Sequence, residues 1–326
     1  MATINSSIFV YQMELTNPST YPYKITAAIC SYNRARFIID AVESIFNQGF
    51  DKNQYEVIVV DNNSKDNTIA LLEAYKNAHP DYHFSYFVET KQGVAHARTR
   101  CAMEAKGEIV AFLDDDSTAQ PGWLSSIAAF FDTHADVYSI GGRITPRFLV
   151  ETPKWYSKYF FGLVGNFDLG KDVKRLTRHR YPCGANMSFR KKAFDEVGYF
   201  NADLGRKGTG LLATEEKDIY NRILRTGKKV YYLPYVEVLH SVEGNKFDAN
   251  YVRRHSMGIG GGERLMLKGD TGALLLKFVE YVAKWGYAIA YGIGFLIRGQ
   301  WSKFYMLERF RWWVIVGFLW PQKANQ

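Results

Sequence analysis

Four short apolar runs, KITAAIC at 24–30, YEVIVVD at 55–61, HFSYFVE at 83–89 and EIVAFLD at 108–114, recur early in the chain, each bounded by polar or turn residues. Helix-length segments separate them. The stretches 34–48, 66–78 and 92–105 carry apolar residues at helical spacing, such as Ile69, Leu72 and Tyr75 after the turn-forming DNNSKDN. Strand alternating with helix predicts an α/β fold, a mostly parallel Rossmann-like sheet with helices on both faces. In such sheets ligands bind beyond the carboxyl ends of the strands. Asp61 and the triplet Asp114, Asp115 and Asp116 all fall at such ends.

The triplet is the most pointed of these signals. A turn or helix cap accounts for one aspartate, but like charges at contact distance raise one another's pKa unless a cation or a donor array offsets them. Asp114 ends its strand, and Asp116, two positions on, aims at the same pocket while Asp115 points elsewhere. Hard carboxylate oxygens in that pattern suit Mg2+ or Mn2+. A dinucleotide-binding fold is disfavoured, because SYNRAR follows the first strand without the close glycines that bring a helix N-terminus onto a pyrophosphate.

Beyond the triplet, Gly141, Gly142, Pro146, Pro153 and Pro182 break the pattern, and a mixed second half is expected. A helix starts near Glu215 and is closed by Gly227, followed by the strand-like KVYYLP and VEVLH. GIGGGE at 258–263 imitates a phosphate loop, yet it follows no strand and lacks GK[ST], so it reads as a flexible joint.

A chain of 326 residues, 47% apolar, has room for one large core or two modest ones. Cys30, Cys101 and Cys183 are odd in number, widely spaced and without CxxC, which argues against a disulfide framework or zinc and for a reducing compartment. MATINSSIFVYQMEL lacks a basic start, an unbroken apolar core and a cleavage site, so no secretory signal is read and the active part is expected in the cytosol. The net charge of +8 is concentrated late: from Tyr251 onward there are eleven Lys and Arg against four Asp and Glu. Such charge interleaved with Trp, Tyr and Phe suits nucleic acid or an anionic membrane surface, and the long apolar runs favour the membrane over nucleic acid. The run 273–297 carries Lys277, Glu280 and Lys284, and 312–320 is short for a bilayer span, so both are expected to lie on or dip into the membrane. Helices docked on the rest of the chain, a single spanning helix, the least favoured, or a homo-oligomer contact are the other readings of this tail.

Seven landmarks stand in order: ICSYNR at 29–34, VVDNNSKDNT at 59–68, KQGVAHARTR at 91–100, LDDDS at 113–117, PCGANMSFRKKAFDEVGYF at 182–200, TEEKDIYNRILRTG at 214–227 and LH at 239–240. With them, residues 24–265 resemble a family 2 glycosyltransferase of the GT-A fold. The resemblance implies a catalytic domain over 23–247, with a donor half at 23–118 and an acceptor half at 119–247, between an N-terminal extension at 1–22 and a C-terminal helical region at 248–326. It implies an inverting, metal-dependent transfer from a nucleotide-diphospho-sugar, a UDP-sugar by default, to a saccharide hydroxyl.

In that reading Asp116 ligates Mn2+ or Mg2+ at the donor diphosphate and His240 is a second ligand, while Asp114 and Asp115 serve the donor side. Asp61 contacts the base, Tyr32 and Arg34 the base and phosphate, and Lys91 and Arg98 belong to the KxGxxxAR pattern. Gly184 and Asn186 lie near the donor sugar. Trp123 is open to two readings, a ring stacked on a sugar or a core side chain. Glu216 is the general base, with Glu215 beside it as the other candidate. The acceptor is expected to be polyprenyl-linked, and the enzyme to sit peripherally at the cytoplasmic face of the cell membrane, in cell-surface polysaccharide or glycoprotein glycan assembly. A nucleotidyltransferase and a non-catalytic sugar-nucleotide or glycan-binding protein are the rival readings.

Overall fold

A computed structural model describes residues 20–178, 180–207, 210, 212 and 214–321. Residues 1–19 of the expected N-terminal extension lie outside the described residues. The first half alternates as its sequence periodicity predicts: β1 (Tyr23–Ser31), α1 (Ile38–Phe46), β2 (Tyr55–Asp61), α2 (Thr68–Ala78), β3 (Phe84–Val88), α3 (Val94–Glu104) and β4 (Gly107–Asp114). These strands pair in parallel in the order β3-β2-β1-β4.

The second half adds β5 (Ser117–Ala119), α4 (Trp123–Thr133), β6 (Val137–Phe148), a 3-10 helix (Lys158–Val164), β7 (Lys174–Arg175), β8 (Asn186–Arg190), α5 (Lys192–Val197), α6 (Glu215–Arg225) and β9 (Lys229–Val242). One mixed sheet results, in which β8 runs antiparallel between β4 and β6, β9 lies parallel to β6, and β5 and β7 pair antiparallel with β9.

Alternation along the strands explains why helices cover both faces. Ile25, Ala27 and Ile29 of β1 pack with Ile38, Val42, Leu72 and Trp123, from α1, α2 and α4. The intervening Ala28 shares the opposite core with Ile58, Val110, Cys101 and Ile219, the last two from α3 and α6. Successive residues of a strand thus enter different cores.

KVYYLP and VEVLH, read as two strand-like pieces, form the single strand β9. Gly142 pairs with Leu233 and Arg143 with Glu237, so Pro234, Tyr235 and Val236 bulge out of register with β6. Proline has no N–H to give to a ladder, which fits its place in the bulge.

The C-terminal region folds as α7 (Ala249–Met266), α8 (Thr271–Ile297) and α9 (Trp301–Leu319). GIGGGE is not a joint: it lies inside α7. A Cβ on Gly260 would overlap the Val314 carbonyl oxygen of α9, one on Gly317 would overlap the Met257 carbonyl of α7, and one on Gly262 would meet the Thr214 side chain. The glycines let two backbones and the start of α6 approach closely, and that packing outweighs their poor helix propensity. Phe160 and Leu163 of the 3-10 helix share a core with Val252 of α7 and Leu307 and Trp313 of α9. The tail is therefore docked on the catalytic unit through its inner helices. Among the described residues no helix is long and apolar enough to cross a membrane. On α8, Leu275, Leu276, Val279, Ile293 and Ile297 remain exposed, as do Trp301 and Tyr305 of α9.

Candidate active site

A cavity of about 720 Å³ opens beyond the carboxyl ends of β1 and β4, a volume suited to a small-molecule site. Parallel pairing of β1 with β2 and β4 sets Ser31 beside Asp61 and Cys30 beside Asp114. All three aspartates of the triplet line the cavity. Asp115 therefore does not point elsewhere. It is buried, accepts the Tyr32 backbone N–H at 3.3 Å and faces Arg34 Nε at 3.7 Å. Burial, then the adjacent Asp116 charge, pushes its carboxyl up to about 8, against the pull of Arg34. β4 ends at Asp114 and the next two residues turn, so strand alternation does not set the direction of Asp115.

Asp116 and His240 meet because of the register of β5 on β9. Ser117 pairs with His240, and the Ser241 N–H donates to the Asp116 carbonyl at 2.8 Å. His240 Nδ1 lies 2.9 Å from the Val164 carbonyl oxygen. A carbonyl can only accept, so Nδ1 donates, and Nε2 faces Asp116 Oδ1 at 3.3 Å. In the neutral ring that places a lone pair opposite a carboxylate, an arrangement suited to a shared cation. Burial alone would raise Asp116, but His240 when its ring carries both protons, then Lys246 and Arg34, hold it below the usual carboxylate range. Arg34 Nη2 is 3.6 Å from Asp116 and its Nη1 is 3.0 Å from Glu243. Among the described residues, no group of three or more His, Cys, Asp and Glu gathers to hold a metal ion, so Asp116 and His240 form a two-residue set.

On the opposite wall α3 presents Arg98 to the first turn of α6. Its Nη1 lies 2.8 Å from Glu215 and 3.0 Å from Glu216, and its Nη2 is 3.6 Å from Asp114. Both glutamates line the cavity, Glu215 almost wholly buried and Glu216 with part of its side chain exposed. Gly184 closes this corner and Gly93, at φ +138°, opens the loop ahead of α3.

The model of glycosyl transferase family 2 matches residues 26–198, from β1 through α5. The chain belongs to that family. A glucosyl-dolichyl phosphate glucuronosyltransferase of Haloferax volcanii is 26% identical over 251 residues, covering 74% of this chain and 77% of the relative. The poly(ribitol-phosphate) β-N-acetylglucosaminyltransferase TarS of Staphylococcus aureus is 32% identical over 130 residues, 38% of this chain and 22% of TarS. In fold, the chain is similar to the mannosyltransferase PcManGT of Pyrobaculum calidifontis, solved with GDP-Man and Mn2+. The TM-score is 0.62 at 18% identity, over 93% of this chain and 89% of that one.

Not every residue expected from the family 2 resemblance reaches the cavity. Trp123 is fully buried, and its Nε1–H donates to Asn186 Oδ1 at 2.9 Å. Asn186 in turn donates to the Arg143 and Val236 carbonyls at 2.9 Å each. These two residues clamp α4 to the sheet, and neither lines the cavity. The Lys91 side chain is exposed outside the cavity, and its carbonyl accepts from Asn62. Asp61 is buried behind the cavity lining, with one oxygen accepting the Ser64 N–H at 2.8 Å and the other, Oδ1, without a partner. Conversely, Arg206, Lys246, Tyr251 and His255 line the cavity without having been singled out in the sequence. Lys246, Tyr251 and His255 cluster around the start of α7 and Arg206 stands alone in the loop before α6, so in the sequence they resemble ordinary surface residues.

Proposed function

We propose that this glycosyltransferase moves a sugar from a nucleotide-diphospho-sugar to a saccharide hydroxyl with inversion at the anomeric carbon, in a metal-dependent reaction. The observation that carries the reading is one cavity in which Asp116 and His240 face Glu216 and Arg98 across the strand ends. Asp116 and His240 would hold Mg2+ or Mn2+, whose remaining positions suit diphosphate oxygens and water. The ion supplies charge neutralisation at the departing diphosphate. Tyr32 and Arg34 flank the nucleotide, and Asp114 and Asp115 complete the donor wall. Asp61 lies behind that wall, where it fixes the turn after β2 by accepting the Ser64 N–H.

Glu216 takes the proton from the acceptor hydroxyl. That oxygen forms the new bond to the anomeric carbon as the bond to the diphosphate oxygen breaks, and the electron pair leaves with the nucleoside diphosphate. Arg98 orients Glu216, and buried Glu215 accepts a hydrogen bond from Arg98 that fixes the guanidinium. The acceptor reading is a polyprenyl-linked saccharide. The exposed apolar residues of α8 and α9, with Lys284 and Arg309 among them, support a peripheral seat on an anionic membrane face.

The test is a melting panel of UDP, GDP, TDP and CMP, each with Mn2+ and with EDTA, on wild type and Asp116→Ala. Ligands that bind only the folded state raise the melting temperature by mass action. One diphosphate stabilising wild type only with metal, and not Asp116→Ala, is the expected result. Absence of any shift in folded wild type would sink the donor site.

A further inference from the structure

The strand-end cavity does not stop at the donor wall. It continues to a cationic stretch formed by Lys246, Arg206, Tyr251 and His255, and then to an apolar wall of Phe160, Leu163, Ile259 and Phe310. The donor-side cations already have carboxylate partners: Arg34 faces Asp115, Asp116 and Glu243, and Arg98 faces Asp114, Glu215 and Glu216. Among the described residues neither Lys246 nor Arg206 forms a salt bridge, although the charge of Lys246 reaches Asp116 and that of Arg206 reaches Glu215, Glu216 and Asp114 at longer range. Lys246 is only 8% exposed and sits 5.5 Å from the Tyr251 ring centre. His255, also 8% exposed, has a buried Nδ1 without a partner, and the buried Tyr251 hydroxyl has none either. Two cations and two unpartnered polar groups around one space form an incomplete anion cradle.

We infer that Lys246, Arg206, Tyr251 and His255 seat a phosphate or diphosphate ester carried by the acceptor, with the apolar wall beyond it for an attached chain. The inference rests on the glycosyltransferase reading above and names the acceptor class for the same cavity. Local charge agrees with it. Burial would raise the Tyr251 phenol, yet Lys246 and Arg206 hold it below its ordinary value. Burial and the same two cations push His255 down to about 3, so its ring is neutral and free to give an N–H to a phosphate oxygen.

The test is calorimetric titration of the full chain in EDTA with three probes: geranyl phosphate, glucose 1-phosphate and geraniol. The proteins are wild type, Asp116→Ala and the double variant Lys246→Gln, Arg206→Gln. Geranyl phosphate should bind wild type and Asp116→Ala alike and bind the double variant about 100-fold more weakly, as expected for two lost charge-assisted hydrogen bonds. Binding of glucose 1-phosphate as tight as geranyl phosphate supports a phosphate seat for water-soluble saccharide phosphates, and much weaker binding supports a lipid phosphate.

Geraniol binding as tightly as its phosphate overturns the inference. So does a double variant that keeps geranyl phosphate but loses UDP with Mn2+, since the cations would then serve the donor. Retained UDP binding certifies the variant's fold. If the variant does not fold, Lys246→Gln and Lys246→Arg replace it, with loss in the first and rescue in the second expected and equal binding overturning. Wild type that binds geranyl phosphate but no nucleoside diphosphate with Mn2+ overturns the donor reading alone.

Discussion

Gly184 lies so close to Arg98 that a Cβ there would overlap both Arg98 Nη2 and Glu216 Oε1. The corner holding the proposed base has no room for a methyl group. Its buried guanidinium cannot swing away without leaving Glu215 unpaired. Gly184→Ala should therefore misplace Glu216, lowering kcat by roughly 100-fold, since small misplacements cost that much. Steady-state kinetics beside nucleoside diphosphate binding checks it: a variant with wild-type kcat removes the positioning role of this corner.

The two adjacent glutamates should separate by pH as well as by rate. Glu216→Gln should reduce transfer by about 10²–10⁴-fold, the usual worth of a general base, with donor binding kept. Burial, then the Glu216 charge, pushes Glu215 up to about 7 from its ordinary 4.5. Between those values the unfolded chain has released this proton while the folded chain still holds it, so stability from this group falls as pH rises. The slope is at most about 1.4 kcal/mol per pH unit. Urea unfolding from pH 4.5 to 7 should show a flatter dependence in Glu215→Gln than in wild type, whatever its absolute stability. An unchanged slope would mean that Glu215 is ionised throughout.

How much of this was legible in the sequence depends on where each signal comes from. The parallel strands were readable because burial on both faces leaves unbroken apolar runs: KITAAIC lies inside Tyr23–Ser31, and YEVIVVD coincides with Tyr55–Asp61. Family landmarks placed Arg98, Asp116, Glu216 and His240 in one cavity. The bulge in β9 and the pairing of β5 with it arise from contacts between segments far apart in the chain, such as Arg143 with Glu237 and Ser117 with His240, and leave no local pattern. GIGGGE misled because only the Val314 and Met257 backbones explain glycine inside a helix. Lys246 and Arg206 carry no motif, and their meaning comes from facing the same cavity.

Trp123 tests the line between core and site. Its indole N–H fills the Asn186 carbonyl, which is buried among backbone carbonyls that the amide nitrogen already serves. Trp123→Phe keeps an aromatic face but leaves that oxygen without a donor, at a cost of about 1–3 kcal/mol. A chemical melt should record the loss, while KM for acceptor stays within about two-fold because the ring is buried outside the cavity lining. A large rise in KM with unchanged stability would restore the stacking role.

The crossing of α7 and α9 links the tail to the site. Gly317 sits where any Cβ would strike the Met257 carbonyl, and Tyr251 and His255 are carried by the same helix, α7, less than three turns away. Gly317→Ala should force the helices apart and cost about 1–3 kcal/mol, as overpacking does. A shifted α7 moves Tyr251 and His255 but not Asp116 or Arg34, which stand on the sheet side of the cavity. The expected kinetic signature is a raised KM for acceptor with nucleoside diphosphate affinity unchanged. Equal weakening of both ligands would show that α7 serves the whole cavity rather than its acceptor end, and an unchanged acceptor KM despite lost stability would make the crossing purely structural.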